Sequence, residues 1–205
     1  MKIGAEADII ISEDRKFVFK RRIRKSYRDL KLDEQIRKLR TKKEVNLLEL
    51  CREYKIPVPR VWLEDKFTLK SEFIDGENLD DFIREGNEDK IKRILGKCAF
   101  FIAKMHNNNV VHGDLTASNI IVYIEDKEEV PYFIDFGFGQ KTYRVEEKAM
   151  DIHNFVKSFN ATFPLLGECS CFFEGKYLEN LESDEAKKIR NRLDKIRGRG
   201  RYLKK

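Results

Sequence analysis

Hydrophobic and polar residues in the first third of the chain follow two different periods. Short apolar runs bounded by turn-like residues such as Ser12-Glu13-Asp14 are typical of paired strands. Between them lies a stretch with helical spacing of its apolar residues, for which residues 32–34 offer a start and Pro57 forces an end. The predicted elements, in order, are strands at 7–11 and 17–19, a helix at 33–54, and strands at 61–63 and 67–69.

Beyond Asp75-Gly76 the pattern becomes mainly helical. The clearest apolar stripe runs from Ile91 to Met105, and three asparagines then indicate a loop. The predicted elements are helices at 78–84, 91–106 and 146–159, with strands at 119–123 and 132–134. A strand-rich part followed by a helix-rich part predicts an α+β fold with lobes at 1–75 and 76–196 and a basic tail at 197–205.

The composition excludes several classes of protein. Of the 205 residues, 41% are hydrophobic and 11% aromatic, which is enough for a packed core and argues against disorder. The longest apolar runs, around Ile10 and Phe101, are far too short to cross a bilayer, and no apolar signal segment is present at the start. We therefore expect a soluble cytoplasmic protein without a membrane partner. The four cysteines lack zinc-like or disulfide-scaffold spacing, so we expect free thiols.

Positive charge is concentrated near both ends of the chain. The net charge is +6, yet residues 15–43 alone carry 14 basic and 3 acidic side chains, and residues 187–205 carry 10 and 1. The middle of the chain is therefore acidic. Each basic block is either a solvated helix face or a contact surface for nucleic acid. For the first block the residues leave both interpretations open.

Three polar clusters stand beside predicted strands. Residues 112–119 follow the pattern H-x-D-x-x-x-x-N, which contains Asp114 and Asn119. Asp135 opens an Asp-Phe-Gly sequence after an apolar strand. Lys20 ends a strand of the first hairpin, and Glu44 lies on the helix that follows.

This ordered set is typical of phosphoryl transfer from ATP. Mg²⁺ prefers carboxylate and amide oxygens, which Asp135 and Asn119 supply, and it neutralises charge that develops on the phosphates. We expect Lys20 to hold the phosphates, with Glu44 paired to its amine. We expect Asp114 to face the attacking hydroxyl or water. Each motif alone is a weak signal, but the order Lys, Glu, H-x-D-x-x-x-x-N, D-F-G is a strong one.

The His-Gly-Asp motif at 112–114 resembles one branch of the kinase-like proteins. The resemblance extends to residues 20–28 and 40–44 and to the Gly-Ala-Glu-Ala sequence that starts at Gly4. That branch is the small atypical kinase subunit of the KEOPS complex, the p53-related protein kinase family, which is related to the RIO kinases. The resemblance implies a protein-kinase-like fold with a small β-rich amino-terminal lobe and a reduced α-rich carboxyl-terminal lobe. It also implies a Ser/Thr kinase that binds ATP and magnesium and acts mainly as an ATPase in support of threonylcarbamoyladenosine modification of tRNA.

Partners and further site residues follow from the same resemblance. The family docks on the large KEOPS subunit, the threonylcarbamoyl transferase, and on a small regulatory subunit, and its basic tail is implicated in tRNA handling. Gly4 corresponds to the segment that covers the phosphates. Glu72 and Ile74 bound the hinge whose backbone meets adenine, and Asp151 resembles the acid that supports the catalytic loop from below.

Departures from ordinary protein kinases favour the ATPase activity. No A-P-E motif follows the Asp-Phe-Gly sequence, and Asp114 lacks the usual preceding arginine. The alternatives are a stand-alone Ser/Thr kinase that phosphorylates a protein in trans, a small-molecule kinase of the antibiotic-phosphotransferase type, and a non-catalytic tRNA-binding scaffold. The basic tail argues against the second, and the intact set of Lys20, Asp114, Asn119 and Asp135 argues against the third.

Overall fold

An antiparallel sheet and one long helix form the amino-terminal lobe. The computed structural model describes the backbone of residues 2–3 and 7–202 and the side chains of residues 7–198. In chain order the elements are β1 (Lys2–Ile3), β2 (Ala7–Ile11), β3 (Phe17–Arg22), α1 (Leu30–Glu53), β4 (Val61–Leu63) and β5 (Thr68–Glu72). The strands lie in the order β1-β2-β3-β5-β4. The predicted strands and helix of this lobe are present, with β1 in addition.

Strand β3 carries cations to the inner face of the sheet. Lys20 lies opposite Ile9 of β2 and Leu69 of β5. Because side chains alternate between the two faces of a strand, Lys20 and Arg22 share one face and Arg21 points to the other. Arg22 is buried and Arg21 is exposed. The strand therefore directs two positive charges towards α1.

Helix α1 begins earlier than the sequence predicts. Oδ1 of Asp29 accepts hydrogen bonds from the N–H groups of Lys31 (3.0 Å) and Leu32 (3.1 Å), which makes Asp29 the cap. Asp33, which lies in the predicted cap region, is buried inside the helix and accepts from Nε of Arg37 at 2.7 Å. The prediction of a start at 32–34 was wrong, because the local pattern does not distinguish a capping acid from a buried ion-pair partner.

Helices dominate the carboxyl-terminal lobe. Its elements are β6 (Glu77–Asn78), α2 (Leu79–Glu85), α3 (Glu88–Asn107), β7 (Val110–Val111), β8 (Ile120–Glu125), β9 (Glu128–Phe133), β10 (Gln140–Lys141), α4 (Val145–Thr162), α5 (Gly167–Glu179) and α6 (Ser183–Tyr202). Strand β8 pairs with β6 and β9, and β7 pairs with β10. A 3-10 turn at Ala117–Asn119 leads into β8.

Two helices of this lobe were not predicted. Helix α5 packs against α3, and α6 packs against α4 through Ile189 and Leu193, which are fully buried. Helix α6 continues to Tyr202, so residues 197–202 of the predicted tail are helical, and residues 203–205 lie outside the described part of the chain. The many lysines and arginines of this segment favour a helix and offset its two glycines.

The hydrophobic core extends through both lobes. Leu48 of α1, Ile102 of α3 and Phe136 belong to the same cluster of buried side chains, which fixes the lobes around the space between them. The apolar stripe predicted for α3 faces this core. Among the described residues, none of the helices combines the length and the apolar composition that a membrane crossing needs.

Candidate active site

A cleft of about 370 Å³ lies between the two lobes. Val18 and Leu69 of the sheet form one apolar wall of the cleft. Ile121 and Ile134 form the opposite apolar wall. The polar residues of the lining are Lys20, Glu44, Ser71, Glu72, Ser118, Asn119 and Asp135. Apolar walls with a few convergent polar groups are the usual make-up of a small-molecule site, and they suit a planar base attached to charged phosphates.

Lys20 stands between two carboxylates that come from different lobes. Its Nζ donates to Oε1 of Glu44 at 2.8 Å and to Oδ1 of Asp135 at 2.6 Å. The side chains of Lys20 and Glu44 are only 11% and 2% exposed, so solvent screens this pair little. The ammonium group therefore joins α1 to the carboxyl-terminal lobe.

Asp135 occupies a strained turn just after β9. Its φ of 63° lies in the left-handed region, and its Oδ1 also accepts from the N–H of Gly137 at 3.2 Å. Phe136 anchors the turn in the core. Burial pushes the pKa of Asp135 up, but the ion pair with Lys20 outweighs this and holds the pKa below its usual value. The carboxylate is therefore ionised at neutral pH.

The loop between β7 and β8 carries Asp114 and Asn119. Nδ2 of Asn119 donates to the main-chain oxygen of Asp114 at 2.8 Å and to its Oδ2 at 3.2 Å. These bonds orient the Asp114 carboxylate and leave Oδ1 of Asn119 for another ligand. The main-chain oxygen of Asn119 accepts from the N–H of Ile134 at 3.0 Å, which places Asn119 beside the segment of Asp135. Asp114 itself is not part of the cleft lining.

Asp135 and Asn119 offer oxygens that suit Mg²⁺. Oδ2 of Asp135 and Oδ1 of Asn119 make no hydrogen bond within the described residues, and Mg²⁺ takes such hard ligands in small number beside water and phosphate. In the same part of the chain no group of three or more His, Cys, Asp or Glu could hold a metal ion. The residues present therefore fit a cation that phosphate and water complete, not an all-protein cage.

Asp151 of α4 binds the main chain of the loop that carries Asp114. Its Oδ2 accepts from the N–H of His112 at 2.6 Å, and its Oδ1 accepts from the N–H of Gly113 at 2.8 Å. The same carboxylate contacts Nε2 of His106 at 3.3 Å, and Nδ1 of that ring lies 2.6 Å from the hydroxyl of Tyr177. His106, His112, Tyr177 and Asp151 are buried. This network connects α3, α4 and α5 to the loop.

Gly113 explains why no arginine precedes Asp114. Its φ is 81°, and a Cβ at this position would lie 2.3 Å from the main-chain oxygen of Phe138. The segment after Asp-Phe-Gly folds back here, because Gln140 of β10 pairs with Val111 of β7. A side chain before Asp114 is therefore excluded by the backbone of this segment.

The hinge between the lobes contributes Glu72 and Ile74 to the cleft. The N–H of Glu72 donates to the main-chain oxygen of Arg60 at 2.8 Å, and that of Phe73 donates to Lys16 at 2.9 Å. The N–H of Ile74 has no hydrogen-bond partner among the described residues. It is therefore a donor that a bound base could use.

The structure also marks site residues that the sequence analysis did not single out. Ser71, directly before the hinge, and Ile134, directly before Asp135, also line the cleft. In the sequence, their only indication as site residues was that each stands next to a recognised motif. Arg22 contacts Glu44 from the same strand face as Lys20, at a spacing of two residues. Gly4, predicted to cover the phosphates, lies outside the described residues.

Comparison with known proteins identifies relatives over nearly the whole chain. The RIO-domain family model matches residues 10–166. A bifunctional tRNA threonylcarbamoyladenosine biosynthesis protein of Methanosphaera stadtmanae is 38% identical over 98% of this chain and 36% of its own length. The KEOPS complex subunit Bud32 of Pyrococcus abyssi is 31% identical, with 98% of this chain and 95% of that protein covered. The chain thus spans about a third of the first relative and nearly all of the second.

Solved structures with the same fold include kinases. The Rio2 kinase of Chaetomium thermophilum, in a complex with ADP, Mg²⁺ and phosphoaspartate, superimposes with a TM-score of 0.62 at 19% identity, covering 94% of this chain and 63% of that one. WaaP, in complex with acyl carrier protein, gives a TM-score of 0.71 at 12% identity, covering 100% and 88%. The predicted kinase-like α+β fold is confirmed. This chain belongs to the RIO-domain family of atypical kinases and, within it, to the group that contains the Bud32 subunits of KEOPS complexes.

Proposed function

We propose that this chain is an Mg²⁺- and ATP-dependent atypical Ser/Thr kinase and ATPase that acts in the cytoplasm as a subunit of a KEOPS complex. In that complex it would support threonylcarbamoyladenosine modification of tRNA. The observation that carries the proposal is the contact of Lys20 with Glu44 and Asp135 inside a cleft that Asn119 also lines. The names of the relatives provide the biological setting.

Each side chain of the cleft has a place in this activity. Adenine would lie between the apolar walls, with the N–H of Ile74 as a donor and the main-chain oxygen of Glu72 as an acceptor. Lys20 would turn from Asp135 to the phosphates, and its positive charge would pair with their negative charge. Asp135 and Asn119 would hold Mg²⁺, which neutralises negative charge on the phosphate oxygens when it is bound.

Asp114 would receive the proton of the attacking water or hydroxyl. Its carboxylate is oriented by Nδ2 of Asn119 and its backbone by Asp151 through the preceding residues. A base that is fixed in this way holds its partner in an attacking position at little entropic cost. The site is open on the side of Asp114, which is exposed, and water can reach it.

The names of the same relatives support the choice of partners. A relative named as a KEOPS complex subunit supports a complex, and we propose that the large KEOPS subunit and a small regulatory subunit complete the assembly. For tRNA we propose the exposed side of α6, where Lys187, Lys188, Arg190 and Lys195 face solvent, together with the basic residues that follow. Arg197 is engaged with Glu174 of α5 and is less available.

ATP turnover by the purified chain tests this function. We expect the variants Lys20→Ala and Asp135→Ala to remain folded and to lose ATP hydrolysis. The assay is run with and without the large KEOPS subunit and tRNA. Arg21→Ala is the matched control, because it removes a charge from the neighbouring position on the exposed face of β3. Unchanged turnover in either cleft variant would contradict the metal and phosphate assignments.

A stand-alone protein kinase is the other candidate, and product analysis separates the two. With labelled ATP we expect mainly free phosphate and slow autophosphorylation. Transfer to an added protein at about 1–100 per second, the range of typical kinases, would instead favour kinase action in trans.

A further inference from the structure

A second buried cation, Arg22, lies behind the cleft lining, and none of the roles above uses it. Its Nη2 donates to Oε2 of Glu44 at 2.5 Å, while Oε1 of the same carboxylate accepts from Lys20 at 2.8 Å. Glu44 is therefore shared by two cations from one face of β3. The side chains of Arg22 and Glu44 are 6% and 2% exposed, so this contact is almost completely removed from water.

The guanidinium group of Arg22 also lies beside the Asp-Phe-Gly turn. A methyl group at Gly137 would lie 3.3 Å from Nη2 of Arg22 and 3.0 Å from Oδ1 of Asp135. The main chain of Arg22 is fixed on both sides, since its N–H donates to Phe67 at 2.9 Å and its carbonyl accepts from Arg37 at 3.4 Å. The guanidinium group thus connects β3 to α1 and lies next to the turn that carries Asp135.

The charges of these residues alternate through the cleft. Arg22, Glu44, Lys20 and Asp135 form a continuous row of hydrogen-bonded ion pairs whose net charge is zero. When Lys20 turns to the phosphates of a nucleotide, Glu44 loses part of its partner. A buried carboxylate without a cation is strongly destabilised, so Glu44 would move towards water and take α1 with it. With Arg22 in place, the carboxylate stays paired in both situations.

We propose that Arg22 is a positioning residue for phosphoryl transfer: it holds Glu44, and through it α1 and Lys20, in the reactive arrangement without a phosphorylated activation segment. The inference rests on the proposed function, because it concerns the same cleft. It goes further because it names the group that fixes the position of α1, the positive charge of Arg22 within the amino-terminal lobe. The segment after Asp-Phe-Gly, which is held by strand pairing with β7, is not required for this task.

Steady-state ATP hydrolysis by the full chain tests the proposal. We expect Arg22→Met to lower kcat by about 10- to 100-fold, the effect of a slightly misplaced catalytic group. KM should change by less than about threefold, because the walls and hinge that bind the base are intact. Arg22→Lys keeps the positive charge and should recover most of the lost turnover. Arg21→Met is the control on the other face of the strand and should equal the wild type.

A double-mutant cycle with Glu44 separates positioning from a general structural role. If Arg22 acts through Glu44, Arg22→Met in the Glu44→Gln background should change kcat by less than about twofold, since coupled residues are not additive. Equal losses in both backgrounds would overturn the proposal. If Arg22→Met does not fold, Arg22→Gln serves in the same cycle, because it removes the charge and keeps a donor. A wild-type kcat in the variant that folds would also overturn it.

Failure of the proposed function gives a different result. A wild-type chain that neither binds Mg-ADP in calorimetry nor hydrolyses ATP contradicts the function and, with it, this inference. A wild-type chain that does both, beside an unaffected Arg22→Met variant, contradicts this inference alone.

Discussion

Position 113 has no room for a side chain, and this single residue decides how the loop of Asp114 meets the segment after Asp-Phe-Gly. A methyl group would lie 2.3 Å from the oxygen of Phe138, and the backbone has a φ of 81°. We expect Gly113→Ala to reduce the free energy of unfolding by about 1–3 kcal/mol, as other strained backbone positions do. Urea denaturation measures this loss, and turnover should fall in parallel because Asp114 follows directly.

The control is a glycine with open space around it. No atom would lie within 4 Å of a Cβ at Gly175 of α5. Gly175→Ala should raise the free energy of unfolding by up to about 1 kcal/mol through helix propensity. Equal effects at the two positions would show that the close approach at Gly113 is unimportant.

Tyr177 is one of the buried residues whose titration should reduce stability at high pH. Burial first, and then the negative charges of Asp151 and Glu185, raise the pKa of its hydroxyl well above the usual value. Because the folded-state pKa is the higher one, the hydroxyl contributes its full stability below about pH 10, the unfolded value, and this contribution is lost as the pH rises further. Ionisation would place a negative charge beside His106 and Asp151 in the core.

Replacement of Tyr177 by Phe tests both parts of this account. The hydroxyl lies 2.6 Å from Nδ1 of His106, so its removal leaves a buried ring nitrogen unpaired. We expect Tyr177→Phe to lose about 1–3 kcal/mol at pH 7. We also expect thermal melts between pH 8 and 11 to decline less steeply for the variant than for the wild type, and parallel decline would argue against a role of Tyr177.

Most candidate residues of the cleft could be found from the sequence, because each belongs to a motif with a fixed order. Lys20, Glu44, Asn119 and Asp135 all line one cleft in the structure. Arg22 could not be recognised, since a third basic residue in a basic run looks like a solvated one. Its burial and its hydrogen bond to Glu44, which only the structure reveals, show that it is directed inward.

Helix α6 is the element in which sequence and structure differ most. Its apolar residues Ile189, Leu193 and Ile196 have helical spacing within the predicted carboxyl-terminal lobe, but no helix was predicted there, and the residues from 197 onward were interpreted as a tail. In the structure three ion pairs attach α6 to α4 and α5, namely Glu185 with Lys148, Arg192 with Glu146, and Arg197 with Glu174. Helix α5 was missed for another reason, because its Gly-Glu-Cys-Ser start has weak helix propensity and tertiary packing decides its structure.

If α6 is part of the core, its inward residues determine the stability of the whole lobe. We expect Ile189→Ala to reduce the free energy of unfolding by about 2–5 kcal/mol, because Ile189 is fully buried. Lys188→Ala changes an exposed neighbour and should stay within about 0.5 kcal/mol of the wild type. Chemical denaturation of both variants checks this, and a small effect at Ile189 would contradict the role of α6 in the core.

At the scale of the whole molecule, the middle of the chain is acidic and its two ends are basic. The two basic ends differ in how far their side chains pair with carboxylates of the same molecule. In the first basic block, Lys20 and Arg22 pair with Glu44 and Arg37 pairs with Asp33, so these three charges are used within the molecule. In the last block, the residues from 199 onward add four basic side chains beyond the contact of Arg197. We therefore propose that a polyanion such as tRNA binds the end of the chain.

Removal of residues 199–205 should weaken tRNA binding in a salt-dependent way. Each phosphate contact releases about one counterion, so the slope of log K against log salt should fall by up to about four. The loss of affinity should then be larger at low salt than at high salt, as measured by filter binding from about 50 to 200 mM. The control replaces the exposed Lys16, Lys66, Lys90 and Lys127 by alanine, which removes the same charge elsewhere. If the slope of log K against log salt falls equally in both variants, the overall positive charge of the protein attracts tRNA. A defined surface at the end of α6 would then not be needed.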